Sequence, residues 1–351
     1  MKQELYDLTD RVVKMTKAAG AKDCRVTTQA ERRVEIAYRD GKPETIKEAS
    51  TRGVNIEVFV DGRYSDQTTS DLRPEALKPF LENAVAATKL LAEDPFRTLP
   101  DPKYYQGRSA VDLKQVDPAS ESVGPAQLHE FAKAVGASCL ERGGDKVISA
   151  ESRAILSATE MVLRTSNGLD GYARATFFAG GGGLSVKDEG DRRPSEYAQA
   201  VAIAFRDLPK PDVLGAEAAR RTLERRGAKK IKTETLPVIV ENRTVGRIAG
   251  GFLQAMFGRA IQQKQSFLAD KKGQGVASPL LTLIDDPLLA GGLGSQLFDG
   301  EGLASRKRVM IEAGVLKDYF VDWYYGRKLG WEPTTGGTSN MIVPAGKRPV
   351  A

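Results

Sequence analysis

Apolar positions recur along the chain with two periods, and the switches between them sketch the fold. Over residues 3–19, Leu5, Leu8, Val12, Met15 and Ala19 share one face at helical spacing. The pattern then alternates: Val54, Ile56, Val58 and Val60 line one face of a strand, with Asn55, Glu57 and Phe59 on the other. Two Asp-Gly pairs, Asp40-Gly41 and Asp61-Gly62, interrupt strand-like runs. A two-residue hairpin turn needs positive backbone dihedrals, which favour Asp followed by Gly. Two hairpins are therefore predicted, "RVEIAYRDGKPETIKEA" and "VNIEVFVDGRYSDQTT". A helix over 74–92 should cover the apolar face, with Pro74 at its start and Asp71 as its cap.

Residues 93–124 are rich in Pro, Asp, Ser and Gly and lack periodicity, the composition of a linker or long connection. Helical spacing returns at Leu128, Phe131, Ala132, Val135 and Cys139. Strands are predicted near 146–156, 158–166, 171–187 and 194–206, then a helix near 213–227 and a short buried strand at "TLPVIVE" (235–241). The longest helical pattern covers 242–269, with Val245, Ile248, Ala249, Phe252, Leu253 and Met256 on its apolar face. Gly246, Gly250 and Gly251 within it would admit another backbone at close range, at a helix cost of about 1 kcal/mol each relative to Ala. A strand at "SPLLTLIDD", a hairpin turning at Gly314 and a short helix ending at Gly330 follow. The predicted class is α+β: an N-terminal helix-covered antiparallel sheet domain, then a β-rich C-terminal domain containing a long glycine-rich helix. The boundaries are 1–93, a connection over 94–124, a central α+β region over 125–232, and 233–351.

Composition narrows the class without changing this picture. With 41% apolar and 28% charged residues, a packed core is expected and wholesale disorder is excluded. No run approaches ~18 uninterrupted apolar residues, so no membrane helix is predicted. The opening "MKQELYDLTDRVVKM" lacks an apolar signal-peptide core, and Cys24 and Cys139 lack metal-type spacing. A cytoplasmic setting is expected, where lone thiols stay reduced. The net charge of +6 has one dense source, "ARRTLERRGAKKIK" (219–232). Such a cluster suits either phosphate contacts or the negative end of a helix dipole. No stacking aromatics are interleaved, so the helix terminus is the better reading and nucleic acid is not expected as a partner.

Candidate chemistry is sparse. His129 is the sole histidine, and Glu130 follows it as in a zinc-peptidase helix. A second imidazole one turn on is required, but Lys133 and Ala134 stand there. His129 reads as a polar residue flanking an apolar stripe. "AGGGGLSV" (179–186) lacks the Lys-Ser/Thr of a phosphate loop and reads as a strand with a bulge or a close backbone approach. Gly-x-Ser-x-Gly is absent, and one histidine leaves little for a nucleophile–base pair.

The segment from Ala277 to Gly336 carries a more specific signal: a strand ending in Asp285-Asp286, "FDGEG" (298–302), the "RVMIEAGVLKDY" hairpin and Arg-Lys-Leu-Gly at a helix end. With "RGVNIEVFVDGRYSDQTTSDL" near the start, it resembles the TldD/PmbA family, called modulators of DNA gyrase and classed among metallopeptidases. The resemblance implies two branches. TldD-type members carry His-Glu-x-x-x-His on a helix, whereas PmbA-type (TldE) members lack it and pair with TldD in a two-subunit peptidase. Here the two histidine positions fall at about Gly250 and Ala255, with Gly251 in the glutamate's place. The chain thus resembles the PmbA/TldE branch. No catalytic residue, metal ligand or cofactor is expected in it, and zinc is expected only in a TldD-like partner. The implied function is a non-catalytic subunit that holds extended peptide substrates in a cytosolic heterodimer, with Phe298, Asp299 and Glu301 as candidate substrate- or partner-binding residues. The alternative is a non-proteolytic regulatory module touching nucleic acid through Arg220, Arg221, Arg225 and Arg226. Family members run on past the point where "GTSNMIVPAGKRPVA" ends, so the C-terminal domain is expected to be incomplete. Strand edges left bare would need a partner to cover them.

Overall fold

Long strands decide the architecture. In the computed structural model, which describes residues 2–346, β1 (Asp23–Arg39) turns into β2 (Lys42–Val60), and β2 into β3 (Arg63–Thr69). At both turns the Asp-Gly pair is left-handed, with φ of 50° and 75° at Asp40-Gly41 and 47° and 73° at Asp61-Gly62. The predicted hairpins form for the predicted reason. β4 (Val147–Thr165), β5 (Asp170–Val186) and β6 (Ser195–Ala202) complete an antiparallel sheet of order β3-β2-β1-β4-β5-β6. β4 is one continuous strand where two were predicted. It pairs with β1 from Arg25↔Thr165 to Arg39↔Glu151, so the segments on either side of the 94–124 connection share one sheet.

Strands of 17–19 residues reach ~55–60 Å at about 3.3 Å per residue. That length seats two helix pairs side by side on one face. Over one end lie α1 (Lys2–Ala18) and α2 (Pro74–Thr88), whose Leu8, Val12, Leu77 and Leu81 pack on Val26, Val54, Ile56 and Val58. Over the other lie α3 (Pro125–Gly143) and α4 (Pro211–Glu224), whose Leu128, Phe131, Val135 and Leu214 pack on Val34, Ile36, Leu156 and Phe178. The glycine run stays in register with both neighbouring strands. Its role is close approach: a Cβ on Gly180 would sit 2.4 Å from the Phe131 ring, and one on Gly182 2.8 Å from Val135. Asp71 does not cap α2. The N-cap is Arg73, and Asp71 accepts from its backbone N–H and guanidinium instead.

The remainder is built from shorter pieces: α5 (Asn242–Gln254), α6 (Gly258–Gln262), β7 (Leu283–Asp285), β8 (Arg308–Glu312), β9 (Val315–Leu316), α7 (Trp323–Leu329) and β10 (Met341–Ile342). The strands form a small antiparallel sheet of order β10-β7-β8-β9 over a core of Met256, Leu268, Met310, Ile311, Leu316 and Phe320. Three expectations change here. The 242–269 helix breaks after Gln254, because the chain opens to pair with Phe320: the Gly258 N–H donates to the Phe320 carbonyl (2.7 Å), and the Phe320 N–H to that of Met256 (3.0 Å). Residues 235–241 form no strand and are not buried, with Val238 and Ile239 77% and 98% exposed. "SPLLTLIDD" is extended only at 283–285. The Gly314 turn and the α7 stop at Gly330, both at positive φ, are as predicted.

Candidate functional site

The second face of the sheet is divided. At the end beneath α1 and α2, the C-terminal segment lies against it; at the other end it stays open. The keying element is the 298–302 turn. Phe298 enters a pocket of Tyr105, Leu163 and Leu169. Its ring tip abuts Gly171, where a Cβ would come within 2.7 Å of the ring, and the Arg108 guanidinium lies 4.7 Å from the ring centre. Gly302, at φ +86°, lets the chain turn against Leu169.

Buried carboxylates surround that turn. Asp299 accepts from the backbone N–H groups of Glu301 (2.9 Å) and Leu303 (3.0 Å) through Oδ1 and of Gly336 (3.1 Å) through Oδ2. Glu301 accepts from the Trp323 N–H at 2.7 Å. Asp322 caps α7 through the Tyr325 N–H at 2.6 Å. From the sheet, Arg25 grips Glu57 in a two-pronged ion pair with both side chains largely buried. Glu301 is intermediate in exposure as a residue, yet its carboxyl group is desolvated. Desolvation pushes its pKa up to about 8, against the opposing pull of the Arg25 charge and the Trp323 N–H; Asp299 and Asp322 push it further up. Burial raises Asp322 as well. The three candidate residues are thus brought together, and their present partners are groups of this chain. Arg25, Glu57 and Asp322 belong to the same cluster and were missed, because nothing local in the sequence places a β1–β2 ion pair beside residue 301.

The 94–124 connection straps the two parts. Asp94 accepts from the Tyr324 hydroxyl (2.6 Å), Arg327 reaches the Pro95 carbonyl and Thr98, and the Ala304 N–H donates to the Tyr104 carbonyl. Asp285 and Asp286 also act within the chain. Asp285 accepts from the Ser339 N–H and hydroxyl, holding β10 on β7, and Asp286 pairs with Lys307 at 2.9 Å. His129 is bonded to the Tyr38 hydroxyl, 2.7 Å from Nε2. In the 219–232 cluster, Arg220 pairs with Glu217 and Glu224, Arg221 with Glu217, and Arg225 with Glu196.

On α5, Gly250 and Gly251 face open space: a Cβ there would meet nothing within 4 Å among the described residues, so no described backbone approaches them as the spacing had suggested. Zinc needs imidazole, thiolate or carboxylate donors. Gly250, Gly251 and Ala255 offer none, so the residues present do not fit a metal ion there. Among the described residues, no group of three or more His, Cys, Asp or Glu side chains is arranged to hold one.

A long antiparallel sheet with helices on one face and a C-terminal segment keyed to the other defines a three-part α+β protein. Family models match it part by part: PmbA/TldA metallopeptidase domain 1 over 26–88, the central domain over 118–226 and the C-terminal domain over 233–350. The chain belongs to the PmbA/TldD family. It is 28% identical to the metalloprotease PmbA of Escherichia coli, over 88% of this chain and 68% of that one. It is 27% identical to a metalloprotease PmbA homolog of Haemophilus influenzae, over 97% and 75%. Among solved structures, it superposes on a protein from Bacteroides thetaiotaomicron named as a modulator of DNA gyrase, with a TM-score of 0.94 and 31% identity, covering 98% of this chain and 78% of that one. TldE from Thermococcus kodakarensis shares the fold, with a TM-score of 0.79, 19% identity and coverage of 97% and 78%. No helix among the described residues is long and apolar enough to cross a membrane.

Proposed function

We propose that this chain is the metal-free, peptide-holding subunit of a TldD/TldE-type metalloprotease of the cytoplasm, completing the chamber of a TldD-like catalytic partner. One observation carries the reading. Where the TldD branch has His-Glu-x-x-x-His, this chain presents Gly250 and Gly251 on α5 and Ala255 just past its end, which supply neither ligand nor general base. Zinc held by the partner would polarise the peptide carbonyl and activate the attacking water. This chain's contribution is binding and orientation. Its sheet ends in the edge strands β3 and β6, and edge addition holds extended peptides through main-chain bonds that are blind to sequence. Phe298, Asp299 and Glu301 contribute by fixing the C-terminal segment on the sheet, which sets the surface offered to substrate and partner. Arg220, Arg221 and Arg225 are held by Glu217, Glu224 and Glu196, which leaves the nucleic-acid alternative without a specific observation in its favour.

The test is metal analysis and a peptidase assay on the isolated chain, then on the chain mixed with a TldD-like protein. Neither zinc nor proteolysis is expected alone, and proteolysis is expected from the mixture. Stoichiometric zinc with peptidase activity in the isolated chain would overturn the proposal.

A further inference from the structure

The open end of the second sheet face carries a cavity of about 860 Å³ between β6, the end of α4 and the first turn of α5. That volume lies in the range of small-molecule and peptide-side-chain pockets. Its wall is cationic. Arg39 comes from the β1 end, Arg221 from α4 and Arg225 from its C-terminal cap, and Arg243 and Arg247 from α5; Glu151 and Glu196 are the acidic members of the wall. Glu196 serves both Arg225 and Arg243, the latter at 3.8 Å, and Glu151 lies 3.4 Å from Arg39. Outside the wall, Glu217 holds Arg221, Glu44 holds Arg39 and Glu241 holds Arg243. Arg247 has no carboxylate within 4.0 Å among the described residues, so the wall keeps one guanidinium with free donors beside Arg243, whose Nε is held by Glu241 and whose Nη1 lies 3.8 Å from Glu196.

The floor is also distinctive. Gly181 and Gly183 belong to the face that Arg39, Glu151 and Arg153 share, directly beside Gln199 and Tyr197. Both glycines let β6 lie close, a Cβ on Gly181 meeting the Ala198 carbonyl oxygen at 2.4 Å, and the strip floors a shallow trough of about 430 Å³ that runs into the cationic cavity through Arg39, Glu151, Gly183 and Tyr197. A trough floored by backbone admits an extended main chain. A guanidinium-lined end receives a carboxylate, because the planar fork matches its two oxygens.

We propose that this groove binds an acidic peptide segment, with its carboxylates received by Arg243 and Arg247. The inference deepens the peptide-holding role above and rests on it for the choice of ligand. It gives that role a sequence preference that main-chain pairing cannot supply: substrates with Glu or Asp side chains are retained over neutral ones.

The experiment uses the full chain alone and fluorescence anisotropy of a labelled octapeptide of alternating Ala and Glu. Its Ala-Gln counterpart and inorganic phosphate serve as further arms. The Glu peptide is expected to bind at least tenfold tighter than the Gln peptide and to weaken as salt rises from about 50 to 200 mM. The double variant Arg243→Gln, Arg247→Gln should lose at least tenfold, whereas Arg206→Gln with Lys78→Gln, equal in charge and remote from the groove, should lose less than twofold. Equal affinity for both peptides, equal loss in both variants, or no binding of the Glu peptide at millimolar protein overturns the proposal. Phosphate competing at the peptide's own concentration also overturns it, since the site would then be a simple oxyanion site. No partner or metal enters this assay. A chain that binds the Glu peptide but carries its own zinc loses the subunit reading only, and one that fails to bind loses this inference only.

Discussion

Glu301→Gln removes one ionisable proton from the cluster that joins the C-terminal segment to the sheet, and changes almost nothing else. The amide oxygen can still accept from the Trp323 N–H, and the amide nitrogen stands where the protonated carboxyl has its hydroxyl. In the folded chain, Glu301 holds its proton up to a pH of about 8, against 4.5 for the free side chain. The native state therefore binds the proton more tightly than the unfolded one, and stability falls as pH rises from 4.5 towards 8. At about 1.4 kcal/mol per pH unit, the full loss is on the order of 5 kcal/mol. The glutamine variant lacks this loss. Urea unfolding at pH 5, 6, 7, 8 and 9 should show variant and parent close together at pH 5. The variant's advantage should then widen to several kcal/mol at pH 9, flattening above pH 8. Taking the difference between the two proteins cancels the titrating groups that do not interact with Glu301. A difference that stays flat across this range, or a variant that is less stable at pH 9, would refute the claim that Glu301 is buried at the cost of its charge.

Four further outcomes follow from the same geometry. Phe298→Ala, which empties the slot against Gly171, Leu163 and Leu169, should cost about 3 kcal/mol in denaturant unfolding; a loss under 1 kcal/mol would mean the turn is not a keying contact. Gly180→Val forces a side chain to within 2.4 Å of the Phe131 ring and should cost about 1–3 kcal/mol, read as a drop in Tm; an unchanged Tm would show that α3 yields freely. Asp285→Ala should speed hydrogen exchange at Ser339 and Asn340, since it removes the acceptor of two Ser339 donors; unchanged exchange there would assign β10 another anchor. Both thiols are buried, and burial pushes Cys24 up to about 12 and Cys139 to about 11. Iodoacetamide at pH 8 should therefore leave both unmodified in the native chain and label both in urea; labelling of either in the native chain would contradict their placement.

Local signals were read well where the backbone itself needed a particular residue. Asp40-Gly41, Asp61-Gly62, Gly314 and Gly330 all sit at left-handed positions, and each announced its turn. The helix faces at Leu5 to Val12 and Leu128 to Cys139 were legible because burial on one side leaves a period. The same rule misled at 235–241 and over 242–269. Apolar residues there form strong patterns, but Val238, Ile239, Val245 and Ile248 are exposed, and a pattern reports the capacity to be buried, not the presence of something to bury against. The candidate site was half legible. "FDGEG" marked a turn of consequence, while its partners Arg25 and Glu57 lie more than 200 residues away.

Residue order alone determined the turns, the helix faces and the absence of imidazole, thiolate and carboxylate on α5, since these depend on neighbours within a few positions. Only the folded chain decided that β1 and β4 pair, which joins two segments into one sheet and leaves part of its second face open. It also decided that Glu301 lies beside Arg25 and that five arginines from three elements line one cavity. Such contacts depend on strand register and on desolvation, and both are properties of distant segments brought together.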